Sequence, residues 1–189
     1  LARNAAVEFG EGVAFFSLEM TDMELTDRLI ASESGISADK LKGKVKMNPE
    51  EWVVLEQSIK RLVKAPLYID ETPGITLTEF TAKAKRLVRE KGVKIIFVDY
   101  LQLMHSGKPQ QGGFSKVQEV TEISNTLKTT AKDLKVPIIA LAQLNRNLMS
   151  RAGSNGKPVL SDLKDSGSIE QDADMVIFIH RPGMVGMSE

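Results

Sequence analysis

Five apolar runs, each short and almost unbroken, constrain this chain more than any other feature: GVAFFSL (12–18), PLYIDE (66–71), VKIIFVDY (93–100), PIIALAQL (137–144) and DMVIFIH (174–180). They do not alternate apolar with polar residues, so they suit strands buried on both faces. Helical patterns lie between them. Thr21 and Glu24 have capping-box spacing, with Met20 and Leu25 placed to staple the turn. Asn48-Pro49-Glu50-Glu51 is a second start: a cap, a proline in the first turn and an acid at the third position. In the helix that follows, Trp52, Leu55, Ile59 and Leu62 read as a core-facing stripe. Thr76 with Glu79 opens a third helix, carrying Leu77, Phe80, Ala84, Leu87 and Val88 on one face and stopping near Gly92. A fourth runs over about 116–134, with Val117, Val120, Ile123, Leu127, Ala131 and Leu134 in register. Buried strands alternating with helices predict an α/β domain with a mainly parallel sheet, its right-handed crossovers covering both faces.

A length of 189 residues suits one domain with a sizeable core. With no cysteine the chain has neither disulfides nor thiolate metal sites, in keeping with an intracellular protein. Only two histidines, His105 and His180, are present, so no zinc site is expected. No apolar run reaches the roughly 18 residues that a membrane-spanning helix needs. The formal net charge is zero, so any attraction to nucleic acid has to come from local patches. The run Lys40, Lys42, Lys44 and Lys46 reads as a solvated face. The opening LARNAAVEFGEG reads as the tail of a helix, and the closing HRPGMVGMSE follows directly on a strand. Residues 1–189 are therefore read as a single incomplete domain, an interior piece of a longer protein.

In open α/β sheets, ligands sit beyond the carboxyl ends of the strands. Three apolar runs close there on a chemically useful group. Asp99 ends IIFVD, and a buried carboxylate needs a counter-charge such as a hydrated divalent cation; it also suits the cap of the following turn. Glu19, just past the first strand, could orient and deprotonate an attacking water beside a phosphate, or could serve as a first-turn acid of the next helix. Gln143 offers a neutral amide that could donate to a phosphate or pair with nearby backbone. Asp70 and Glu71 close another strand and read as ordinary strand-end acids. No GxxxxGK(S/T) phosphate loop occurs anywhere in the chain. Two connections are long, 101–115 and 145–172, and loops of such length are commonly functional. Arg146 and Arg151 flank the second, placed either to reach phosphate or to face solvent.

FFSLEM (15–20), PLYIDETPGIT (66–76), IIFVDYLQLM (95–104), IIALAQLNR (138–146) and LSDLKDSGSIEQDAD (160–174) together resemble the C-terminal motor domain of the bacterial replicative DNA helicases, the DnaB family, in order and over essentially the whole chain. The resemblance implies a RecA-like P-loop NTPase core whose first strand and phosphate loop precede residue 1. It implies ATP and Mg²⁺ as nucleotide and metal, with Glu19 as the catalytic glutamate, Asp99 as the Walker B aspartate holding Mg²⁺ through water, and Gln143 as the γ-phosphate sensor. Lys164, Asp165 and Gly167 match a loop that holds DNA. Family members often carry arginine and glutamate where Lys164 and Asp165 stand, and lysine lacks the bidentate geometry of arginine. The implied partners are single-stranded DNA, further copies in a hexameric ring moving 5′ to 3′, and primase and a helicase loader through other parts of the parent, at the replication fork in the cytoplasm. The implied arginine finger follows residue 189, so hydrolysis and unwinding are expected of the parent and not of these residues alone. Two other readings share the core: a RecA-type or circadian-clock ATPase, and a RecA-like assembly module without catalysis.

Overall fold

Four of the five apolar runs become a parallel sheet: β1 (Gly12–Ser17), β2 (Leu67–Asp70), β3 (Val93–Asp99) and β4 (Ile138–Ala140), in the order β2-β1-β3-β4. The computed structural model describes residues 1–107, 115–144, 157–160, 162–163 and 167–180. Within each strand, successive side chains enter opposite cores. Ala14, Phe16, Ile96 and Val98 point into the larger one, with Phe80, Ala84, Val120, Ile123 and Leu127 from the covering helices. Val13 and Phe97 point into the smaller, against Ala2 and Ala6 of the N-terminal segment, which contains a short π-helical turn, Asn4–Glu8. Both faces are thus dry, which is why the runs lack polar alternation. The Phe16 ring meets Phe80 edge-on at 4.8 Å, and Phe15 stacks on Phe97 at 5.9 Å.

The helices start where their caps predict. α1 (Asp22–Ser34), α3 (Pro49–Lys64) and α4 (Leu77–Lys91) each open on a reciprocal capping box, at Thr21/Glu24, Asn48/Glu51 and Thr76/Glu79. A fourth box, Ser115/Gln118, opens α5 (Lys116–Leu134) and is legible in the sequence by the same rule. The short α2 (Ala38–Leu41) overlaps only the start of the basic run, where Lys40 pairs with Glu51 and Lys44 with Asp39. One carboxylate ties three elements together: Glu33 of α1, its side chain only 2% exposed, receives Arg3 at 2.8 Å and Arg61 of α3 at 2.9 Å.

Four expectations change. The run 174–180 is not a strand: among the described residues it forms no ladder, and Met175, Ile177 and Ile179 are largely exposed. Apolar composition supplies strand propensity, but a strand exists only where a neighbour accepts its hydrogen bonds. The stripe on α3 is rotated. The helix turns Leu55, Ser58 and Leu62 inward, leaving Trp52 57% and Ile59 39% exposed. Lastly, the connection 145–172 is not loop throughout, because α6 (Gly167–Asp172) occupies its end. Val117, at the first turn of α5, is also exposed.

Gly12 is required by close approach. A Cβ there would lie 2.8 Å from the Gly92 carbonyl oxygen, where the register between β1 and β3 also shifts. Both atoms are fixed by backbone, so Gly12→Ala is expected to destabilise the fold by about 1–3 kcal/mol. Chemical denaturation checks this, and a change below about 0.5 kcal/mol would show that the strands can separate freely.

Candidate functional site

Parallel register brings the strand ends together. Ser17 pairs with Asp99 and Val98 with Ala140, so the residues just beyond β1, β3 and β4 emerge side by side. Past β1, the Leu18 N–H donates to the Asp99 carbonyl at 2.8 Å, and the buried Ser17 hydroxyl donates to the Met20 carbonyl at 2.7 Å. Glu19 is the exposed residue on that short turn, immediately before the Thr21 cap of α1. Past β4, the Leu141 N–H donates to the Val98 carbonyl at 2.9 Å, and the Leu101 N–H to the Leu141 carbonyl at 3.0 Å. The result is a cleft of about 240 Å³ lined by Glu19, Asp99, Tyr100, Leu141, Ala142 and Gln143. Glu19, Asp99 and Gln143, three sequence candidates, therefore share one cleft.

A larger cleft, about 510 Å³, lies at the other edge of the sheet, around Lys128, Lys132, Lys135 and Pro137. Its one acid, Asp174, is already paired with Lys128. Among the described residues it offers mainly positive charge, and the three sequence candidates Glu19, Asp99 and Gln143 lie in the smaller cleft instead.

Electrostatics separate acids that look alike in sequence. Asp70 is half-buried, which alone would raise its pKa, but Lys83 at 2.6 Å and the Thr72 side chain and N–H hold it below the usual carboxylate range. Glu71 accepts the Asp22 N–H at 2.7 Å and so serves the first turn of α1. Asp99 behaves oppositely. Burial, and then the charge of Glu19, push its pKa up, with Arg28 pulling weakly the other way. Among the described residues, neither the Glu19 nor the Asp99 carboxylate has an ion-pair or hydrogen-bond partner. Two converging carboxylates of this kind suit Mg²⁺, which typically takes one or two protein carboxylates and fills its remaining positions with water and substrate phosphate. Among the described residues no group of three or more His, Cys, Asp or Glu side chains placed to hold a metal ion occurs.

Other sequence candidates fall elsewhere. Lys164, Asp165, Arg146 and Arg151 lie outside the described residues. Gly167 is the first residue of α6. His105, an exposed residue, has a structural role. Its main chain bonds Ile75 and Leu77 at 3.0 Å, and its ring lies beside Gly74, 3.6 Å from Glu119, pinning the start of the first long connection. Gln102, two residues before the end of the β3 motif block, was not singled out by sequence. Its side chain faces Gln143, and only a distance of 41 residues along the chain hides that pairing. No helix among the described residues is long and apolar enough to cross a membrane.

An all-parallel sheet covered on both faces, with two carboxylates and an amide gathered at its carboxyl edge, defines the class: a RecA-like α/β domain. Comparison with known proteins narrows this. The family described as DnaB-like helicase C terminal domain matches residues 1–189, and the chain belongs to that family. It is 43% identical over 182 residues to the replicative DNA helicase DnaB of Geobacillus stearothermophilus, covering 96% of this chain and 39% of that protein. It is 45% identical over 180 residues to the replicative DNA helicase DnaB of Leifsonia xyli subsp. xyli (strain CTCB07), covering 95% and 38%. The chain thus spans well under half the length of these relatives. Among solved structures, an ATPase domain superposes with a TM-score of 0.87 at 32% identity, covering 97% of this chain and 63% of that one. A DnaB-like replicative helicase, described with its interactions with primase, superposes with a TM-score of 0.81 at 33% identity, covering 92% and 41%.

Proposed function

We propose that residues 1–189 are the hydrolytic and DNA-gripping part of a longer ATP-driven helicase that moves 5′ to 3′ along single-stranded DNA. The observation that carries this is the convergence of Glu19, Asp99 and Gln143 on one cleft, in a chain of the DnaB-like family. Glu19, exposed on its turn, orients the attacking water and accepts its proton. Asp99 would hold a hydrated Mg²⁺, which would supply positive charge beside the phosphates. Gln143 donates its side-chain amide toward the γ-phosphate, and its position at the head of the segment that follows β4 lets the loss of that phosphate move the segment.

In this reading Lys164, Asp165 and Gly167, with Arg146 and Arg151 flanking, hold the DNA backbone. Contacts to phosphate carry no sequence information, as a motor on any template requires. Family membership and the order of the motif blocks support these assignments. The phosphate loop and the arginine finger come from sequence outside these residues, the finger from a neighbouring copy across a heterologous ring interface. Hexameric assembly, primase and a loader as partners, and a place at the bacterial replication fork belong to the same proposal; primase is drawn from the superposed helicase described with it.

The test is ATP hydrolysis by the full-length protein. Single-stranded DNA is expected to raise steady-state turnover severalfold regardless of sequence, with the stimulation falling steeply as salt rises. A full-length protein whose hydrolysis ignores single-stranded DNA would overturn the reading.

A further inference from the structure

The sheet stops short of Gln143. β4 ends at Ala140, and after Asp99 the chain of β3 leaves the sheet plane in a 3₁₀ turn, Leu101–Leu103. The main chain of β3 can therefore no longer pair with residues 142 and 143. A side chain takes its place. The Gln102 Nε2 donates to the Gln143 carbonyl at 3.2 Å, and the Gln143 N–H donates to Gln102 Oε1 at 3.3 Å. A primary amide presents one donor and one acceptor side by side, matching the acceptor and donor of one main-chain residue. Both bonds use Gln143's backbone and leave its side-chain amide uncommitted to Gln102. Gln102 itself does not line the cleft.

We propose that Gln102 is a positioning residue for Gln143: its two-point clamp on the Gln143 backbone holds that side chain at the Glu19–Asp99 cleft and couples its movement to the turn after β3. This rests on the functional reading above. A clamp made by a side chain at the frayed end of a ladder is easier to open and re-form than a central strand pair, which suits a segment that must shift once per turnover.

The test uses the full-length protein with Gln102→Met, which keeps the length of the side chain and removes both bonds, and Gln102→Glu, which keeps only the acceptor. DNA-stimulated kcat is expected to fall about tenfold in Gln102→Met and less in Gln102→Glu, while KM for ATP stays within about twofold, because Gln102 does not reach nucleotide. In a Gln143→Ala background, Gln102→Met is expected to cost less than about a further twofold, since the clamp then has no sensor to position. Gln102→Met within about twofold of wild type, or a full tenfold loss added on top of Gln143→Ala, would overturn the inference. If Gln102→Met does not fold, the same two criteria apply to Gln102→Glu. A wild-type protein with no DNA-stimulated hydrolysis sinks the parent reading instead, so the two failures are distinguishable.

Discussion

Replacing Glu19 by glutamine in the full-length protein is expected to lower ATP turnover by about a thousandfold while leaving ATP affinity within a few-fold of wild type. The substitution keeps the shape and the hydrogen-bonding reach of the side chain and removes only the basic oxygen. Among the described residues Glu19 contributes no ion pair and no cap to the fold: the box that opens α1 is made by Thr21 and Glu24, and the turn before it is held by Ser17 and Leu18. A loss of activity therefore cannot be charged to lost structure. Nucleotide binding by equilibrium titration and hydrolysis by phosphate release are measured on the same sample. Turnover close to wild type would remove Glu19 from the chemistry.

Asp99→Asn is expected to act in two directions at once. Turnover falls by about a hundredfold or more, because the Mg²⁺-side carboxylate is gone. The nucleotide-free protein, however, becomes slightly more stable. The pKa of Asp99 is raised by burial and by Glu19, so the folded state favours the protonated acid. Its contribution to stability is present at low pH and is lost as the pH rises through the raised value, which makes the charged carboxylate a cost at neutral pH. The group is partly solvated and screened, so relief of that cost is worth less than about 1 kcal/mol, a rise in Tm of at most about 2–4 °C. The gain should vanish at pH values below the ordinary aspartate range. Mg²⁺ should stabilise wild type and have little effect on Asp99→Asn, since the variant removes the carboxylate that would attract the cation. An asparagine variant less stable than wild type at neutral pH without Mg²⁺ would mean that the carboxylate is a structural cap.

Much of this was legible in the chain. The capping boxes at Thr21, Asn48 and Thr76 and the stop at Gly92 are local signals, and the helices begin and end on them. The unbroken apolar runs announced a parallel sheet buried on both faces. Asp99, Glu19 and Gln143 were visible because each closes a different run, and parallel strands must place their carboxyl ends together.

Pairing decided the rest. From sequence, Asp99 and Glu19 stand out as candidates while Asp70 and Glu71 read as ordinary strand-end acids, but local pattern does not say which partner each one has. The fold gives Asp70 to Lys83, 13 residues on, and Glu71 to the first turn of α1, 49 residues back, and leaves Glu19 and Asp99 facing each other. Likewise Trp52 belongs to a helix whose inward face is set by where α1 lies, and the run 174–180 has strand composition but no described neighbour to bond.

By itself, then, the amino-acid sequence determined four of the five strands, the main helices with their starts, and the edge at which chemistry would gather, because periodicity, caps and strand ends act over a few residues. The tertiary structure alone decided which partner Asp70 and Glu71 take, which helix face is dry, and that Gln102 grips Gln143 from 41 residues away. Those outcomes depend on which distant groups reach hydrogen-bonding distance, and a linear pattern does not encode that distance.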